Sequence, residues 1–155
     1  MSQNEELVGT LNDLVKINND RIAGYERAIA ETKDLDVDLK ALFEGLIRET
    51  QGYKEELIEA VAARGGDVTN DTTISGKIYR AWMDVKAVFT GNDRKTILEN
   101  CEFGEDAWRR AYEAALGSDT EMDAEIRQMI TSHYTSETAA HELIKKYRDA
   151  HAALD

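Results

Sequence analysis

The sequence predicts an all-α protein, a bundle of four long helices with a long crossover that contains a shorter fifth helix. Three observations predict it. Apolar residues recur at three- and four-residue steps along four segments, the spacing of one helix face. Proline is absent and glycine occurs only ten times among 155 residues, so little interrupts a long helix. Two short connections and one long one join the four segments, and connection length sets helix direction.

The first helix, about residues 3–32, carries Leu7, Leu11, Leu14, Val15, Asn18, Ile22, Tyr25 and Ile29 on its apolar stripe. Asp34 or Asp36 can cap the second, whose stripe is Leu39, Leu42, Phe43, Leu46, Thr50, Tyr53, Leu57 and Val61. Arg64 followed by Gly65 and Gly66 stops it, because glycine takes the left-handed conformation without steric cost. A polar, turn-like stretch follows, and Thr72 or Thr73 can cap a shorter helix bearing Ile78, Trp82, Val85 and Phe89. Gly91 ends that helix, and Asp93 starts the next, which carries Ile97, Cys101, Glu105, Trp108, Tyr112 and Ala115. Gly117 closes it. Ser118 with Glu121 three residues on matches a capping box, opening a last helix through Met122, Ile126, Ile130, His133, Glu137 and Ile144. The first two helices are therefore antiparallel neighbours, as are the last two, and about 28 residues return along the bundle between the pairs.

Composition bounds what such a bundle does. Residues 1–155 fit one domain, and 42% hydrophobic residues argue against disorder. A formal net charge of −12 argues against nucleic acid or an anionic membrane as the main partner, since both call for a basic face. The start, Met1 to Glu6, has no basic segment followed by an apolar one, and no apolar run approaches the ~20 residues that span a bilayer. The single cysteine, Cys101, leaves no internal disulfide and reads as a small core residue. A cytoplasmic protein is expected.

The informative residues are polar ones in the middle of apolar stripes. Asn18 and Tyr25 lie there on the first helix, Thr50 and Tyr53 on the second, Glu105 and Tyr112 on the next, and His133 and Glu137 on the last, with His141 nearer the edge. Glutamate is seldom buried without a partner. Two facing carboxylates must share a proton, meet a base or bind a cation. Either Glu105 and Glu137 belong to a hydrogen-bonded layer with Asn18, Tyr25, Thr50, Tyr53, Tyr112 or His133, or they hold a single metal ion with His133 or His141.

Three stretches carry a family likeness: Leu11-Asn12-Asp13-Leu14 with Gly24-Tyr25; Tyr79 to Lys86 around Trp82; and Cys101 to Ala107 running on to Tyr112 and Leu116. In this order the chain resembles an uncharacterised bacterial family of the ferritin-like superfamily, a domain of unknown function. The resemblance implies a ferritin-like four-helix bundle. Di-iron members of that superfamily use a glutamate on each of two helices and Glu-x-x-His on the other two. Carried onto this chain, Asn18 takes the first glutamate position, Thr50 and Tyr53 the first Glu-x-x-His, Glu105 the next glutamate, and Glu137 with Ala140 the last pair. Sliding the second helix by one residue recovers Glu49 but turns it off the buried stripe. A di-iron oxidase or ferroxidase is therefore not expected.

Other chemistries fail on spacing. The run from Asp67 resembles a calcium loop but lacks glycine at its sixth position and has Ile78 at its twelfth. His141-Glu142 does not continue to a second histidine four residues after the first, and no phosphate-binding glycine loop occurs. The expected function is a non-catalytic bundle with a degenerate metal site and no cofactor, acting through its surface or as a homo-oligomer. The alternative is a mononuclear metal protein or oxidoreductase using Glu105, Glu137 and a histidine, and after it a carrier with an apolar pocket.

Overall fold

Strict alternation of four- and three-residue steps governs what is buried. The computed structural model describes residues 3–68 and 94–154, with four helices: α1 (Gln3–Glu31), α2 (Val37–Ala63), α3 (Arg94–Leu116) and α4 (Ala124–Leu154). On α1 the buried line is Leu7, Leu11, Leu14, Asn18, Arg21, Tyr25 and Ala28. On α2 it is Leu39, Phe43, Leu46, Thr50, Tyr53, Leu57 and Ala60; on α3, Leu98, Cys101, Glu105, Trp108, Tyr112 and Ala115. On α4 it is Ile126, Ile130, His133, Glu137, Ala140 and Ile144. This 3.5-residue repeat keeps one seam of each helix toward its neighbours along the whole length. It also corrects the stripe of α1: Ile22 and Ile29 are only half-buried, while Arg21 and Ala28 hold the centre.

Cross-helix contacts fix the directions. Asn4 reaches the Arg64 carbonyl and Arg21 reaches Thr50, so α1 and α2 run antiparallel. Arg148 meets Glu102 while Tyr134 meets Glu113, so α3 and α4 do too. Asn18 touches Tyr112 and Tyr25 touches Glu105, which makes α1 and α3 antiparallel across the two pairs. Arg94 sits beside Asp36 and Asp38 at the start of α2, so the chain from Ala63 to Arg94 joins opposite ends of the bundle. This is the up-down, crossover, down-up order of a ferritin-like four-helix bundle. α1 packs most closely on α2, α3 on α4 and α1 on α3; of the four adjacent pairs, α2 and α4 pack least closely. The expected crossover helix, with Ile78, Trp82, Val85 and Phe89, lies outside the described residues.

Helix ends follow local chemistry. Gly65 has φ +73°, and the N–H groups of Gly65 and Gly66 donate to Ala62 and Val61, closing α2 with orphan carbonyls satisfied. The last helix begins later than the capping box at Ser118 and Glu121 suggests. Asp123 Oδ1 accepts from the Ile126 N–H at 3.0 Å instead, and Met122 precedes the helix, packing on the core. Gly117 and Ser118 bond back to the carbonyls of Glu113 and Ala115, so these residues finish α3 rather than start α4.

Candidate functional site

Arg21 lies at the centre of the polar layer. It has no exposed surface, and its Nε and Nη2 donate to the two oxygens of Glu105 at 2.8 and 3.1 Å. The third arm, Nη1, donates to Thr50 Oγ1 at 2.9 Å, while the Thr50 hydroxyl donates to the Leu46 carbonyl at 2.7 Å. The guanidinium is also flanked by the rings of Trp108, Tyr25 and Tyr53, at 5.2, 5.5 and 5.9 Å from their centroids. Tyr25 donates its hydroxyl hydrogen to Glu105 Oε1. α1 thus supplies a cation and a phenol, α2 a hydroxyl and α3 the carboxylate that accepts from both α1 groups.

Burial works against both charges of this pair, and proximity overrides it. The Glu105 carboxylate lifts the Arg21 guanidinium above its ordinary value. For Glu105, burial is opposed by Arg21 and by hydrogen bonds from Glu137, Arg21 and Tyr25, so its carboxyl is held below the usual range. Glu137 goes the other way. Burial, then the Glu105 charge and the hydrogen bond between the two carboxyl groups, push it up to about 9. Its Oε1 accepts from Arg109 at 3.0 Å, but its Oε2 is buried without a partner as a charged oxygen. A proton shared between the two carboxyl groups removes the charge from Glu137. Within this layer the Arg21 cation and the Glu105 anion then balance.

One turn along, a second set joins three helices. Trp108 Nε1 donates to Asn18 Oδ1 at 3.0 Å, and Asn18 Nδ2 lies 2.8 Å from the Leu14 carbonyl and 2.9 Å from the Tyr112 hydroxyl. Tyr112 in turn meets His133 Nδ1 at 3.0 Å. Burial pushes His133 down to about 4, so the ring is neutral at neutral pH. Tyr53 stacks on His133 with centroids 4.4 Å apart and donates its hydroxyl hydrogen to Glu49.

The sequence-derived residues therefore divide. Asn18, Tyr25, Thr50, Tyr53, Glu105, Tyr112, His133 and Glu137 all lie in the interior. His141 is half-buried and its Nδ1 lies 3.9 Å from Asp106. Sequence reasoning does not find Arg21, because a basic residue on an apolar stripe reads as an edge residue, nor Arg109, which lies half-buried beside the α3 stripe; the 4-3 spacing from Leu14 through Asn18 to Tyr25 is the signal for Arg21. The donors present do not fit a metal pair. Both Glu105 oxygens are taken by the Arg21 guanidinium, Glu137 Oε1 is taken by Arg109, and among the described residues no three His, Cys, Asp or Glu side chains converge on one point.

Four helices in this order around an internal polar layer define a ferritin-like bundle, and solved structures agree. A mutant of Dps1 from Mycobacterium smegmatis superposes with a TM-score of 0.77 at 10% identity, covering 96% of this chain and 99% of that one. A ferritin-like, diiron-carboxylate protein from Bacillus anthracis str. Ames gives 0.69 at 20% identity, with the same two coverages, 96% and 99%. No curated protein matches the sequence. The family described as Domain of unknown function (DUF2383) matches residues 6–118, and the chain belongs to it.

Proposed function

We propose that this chain is a non-catalytic ferritin-like bundle in which an internal guanidinium replaces the metal of diiron-carboxylate proteins such as the Bacillus anthracis neighbour. The observation that carries this reading is the two-pronged hold of Arg21 on Glu105. A bundle that neutralises its own buried carboxylate needs no metal to fold, and its centre offers no open ligand position to a substrate. Its activity then lies on its surface, as a single cytoplasmic domain or as a homo-oligomer with an accessory or stress-related role.

A single ion held by Glu105, Glu137 and a histidine would have to displace the guanidinium. Elemental analysis of protein purified without chelator, before and after incubation with ferrous or zinc ion, tests the point. The expected result is metal well below one equivalent per chain. One equivalent or more, lost in Glu137→Gln, would overturn the proposal in favour of the mononuclear site. Sedimentation of the same sample reads the assembly state.

A further inference from the structure

Among the described residues the exposed large apolar side chains are Leu35, Val37, Phe103 and Leu143. Leu35 and Val37 lie at the turn between α1 and α2, and Leu143 is only 39% exposed, whereas Phe103 stands 59% exposed on the rigid α3 rod. Steps of four and three residues from it reach Glu99, Ala107, Arg110 and Ala114. These five therefore share one face, turned away from the buried line of Cys101, Glu105, Trp108 and Tyr112. None of the five is fully buried. Ala107 and Ala114 are small, so another helix can come close beside the Phe103 ring. Arg110 is exposed and makes no ion pair among the described residues, in a chain of net charge −12. Glu99 has Lys95 one turn away at 3.9 Å, a contact open to solvent on both sides.

We propose that this face is a self-association surface, on which a second copy of the chain docks with its α3 antiparallel to the first. With a twofold axis level with Glu105, Phe103 of each copy packs on the partner's Ala107, and Arg110 of each reaches the partner's Glu99. The order of chemistries along the face selects this occupant. From one end it runs acid, aromatic, small, base, so antiparallel self-pairing sets acid against base and ring against methyl at both ends. Parallel pairing would set Arg110 on Arg110 and Glu99 on Glu99, and like charges in contact reject that arrangement. A polyanion would meet Glu99, and a polycation would meet Arg110. The mixed-sign face is complementary to itself.

Size sets the strength. α3 has 23 residues, about 34 Å of helix, and one helix pair of that length falls at the small end of specific interfaces, below about 1,200 Å². A dimer in the micromolar range follows, not an obligate one. Phe103 is its anchor, because an aromatic ring taken from water at the centre of a contact outweighs exposed ion pairs. Arg110 and Glu99 set direction and register. Resting on the surface-acting reading of the bundle, this dimer nonetheless fails separately from it: metal content decides one, and mass decides the other.

Sedimentation equilibrium of the full chain, from about 1 to about 500 μM at about 150 mM salt, tests this. The expected result is a reversible monomer–dimer equilibrium. Phe103→Gln should raise its dissociation constant about thirtyfold with little change in thermal midpoint, since the ring is mostly outside its own fold. Arg110→Glu and Glu99→Arg should each weaken dimerisation about tenfold. An equimolar mixture of those two variants should recover the native affinity, because each mixed dimer again has acid opposite base at both ends. Within one chain Glu99 and Arg110 lie about three helical turns apart, so no contact inside a copy explains the recovery. A monomer throughout the range, an assembly indifferent to Phe103→Gln, or a mixture no tighter than its components would each overturn the surface.

Discussion

Removing a guanidinium from water is tolerated only where every face of it finds a partner, and Arg21 meets that condition with a carboxylate, a hydroxyl and three rings. Such a pair contributes little net stability, yet either half alone is costly. Arg21→Met should therefore destabilise the fold by about 3–5 kcal/mol, since it strands a charge on Glu105. Adding Glu105→Met should return most of that loss, because an apolar pair of similar volume is often as stable as the ions it replaces. Urea unfolding of the two single variants and the double variant reads both numbers, and a double variant worse than either single would refute the ion-pair account. At this scale the sequence was legible where one residue type is improbable in its position. Glu105 and Glu137 stood out because buried glutamate is rare. Arg21 did not, since a long basic side chain at a stripe edge normally reaches solvent. Only the position of Glu105, on a helix 84 residues away, explains why Arg21 turns inward.

Helix existence and direction came from periodicity, and helix ends from particular residues, with unequal success. The double glycine after Arg64 worked because it is demanded twice. Gly65 needs its positive φ, and a Cβ on Gly66 would lie 2.5 Å from Val8 Cγ1. Gly66→Ala should thus destabilise by about 1–3 kcal/mol, the usual cost of overpacking, with the stiff β-branched Val8 unable to swing aside. A thermal shift no larger than that of an exposed control such as Gly9→Ala, which has open space around it, would contradict this. The start of α4 was misplaced because Ser118 and Glu121 satisfy a spacing rule that Asp123 satisfies physically, through its bond to the Ile126 N–H. Asp123→Ala should cost about 1 kcal/mol in chemical denaturation, whereas Ser118→Ala should cost the helix start nothing.

For the whole molecule, two buried groups shape the response to pH in opposite directions. Glu137 holds its proton in the fold up to about 9 but releases it near 4.5 when unfolded, so its contribution falls as pH rises between those values. His133 stays neutral in the fold down to about 4 but takes a proton near 6.5 when unfolded, so its contribution is lost as pH falls across that window. The two slopes oppose one another between about 4.5 and 6.5, and stability declines above and below. Glu137→Gln should flatten the alkaline arm and leave the acid arm intact, as read from denaturation midpoints across pH. An unchanged alkaline arm would mean that Glu137 is ionised in the fold. The bundle order was legible from connection lengths alone, whereas which buried group carries which charge was not, because it depends on side chains that meet only across helices.

The same interior also makes the two hairpins unlike and mutually dependent. Along its buried line the α1–α2 half carries a fixed cation, Arg21, and the α3–α4 half carries the anion, Glu105, with the neutral acid Glu137. Two copies of the first half would set guanidinium against guanidinium, and two copies of the second would crowd four carboxyl groups together. Each half therefore rejects itself and accepts the other, in one axial register.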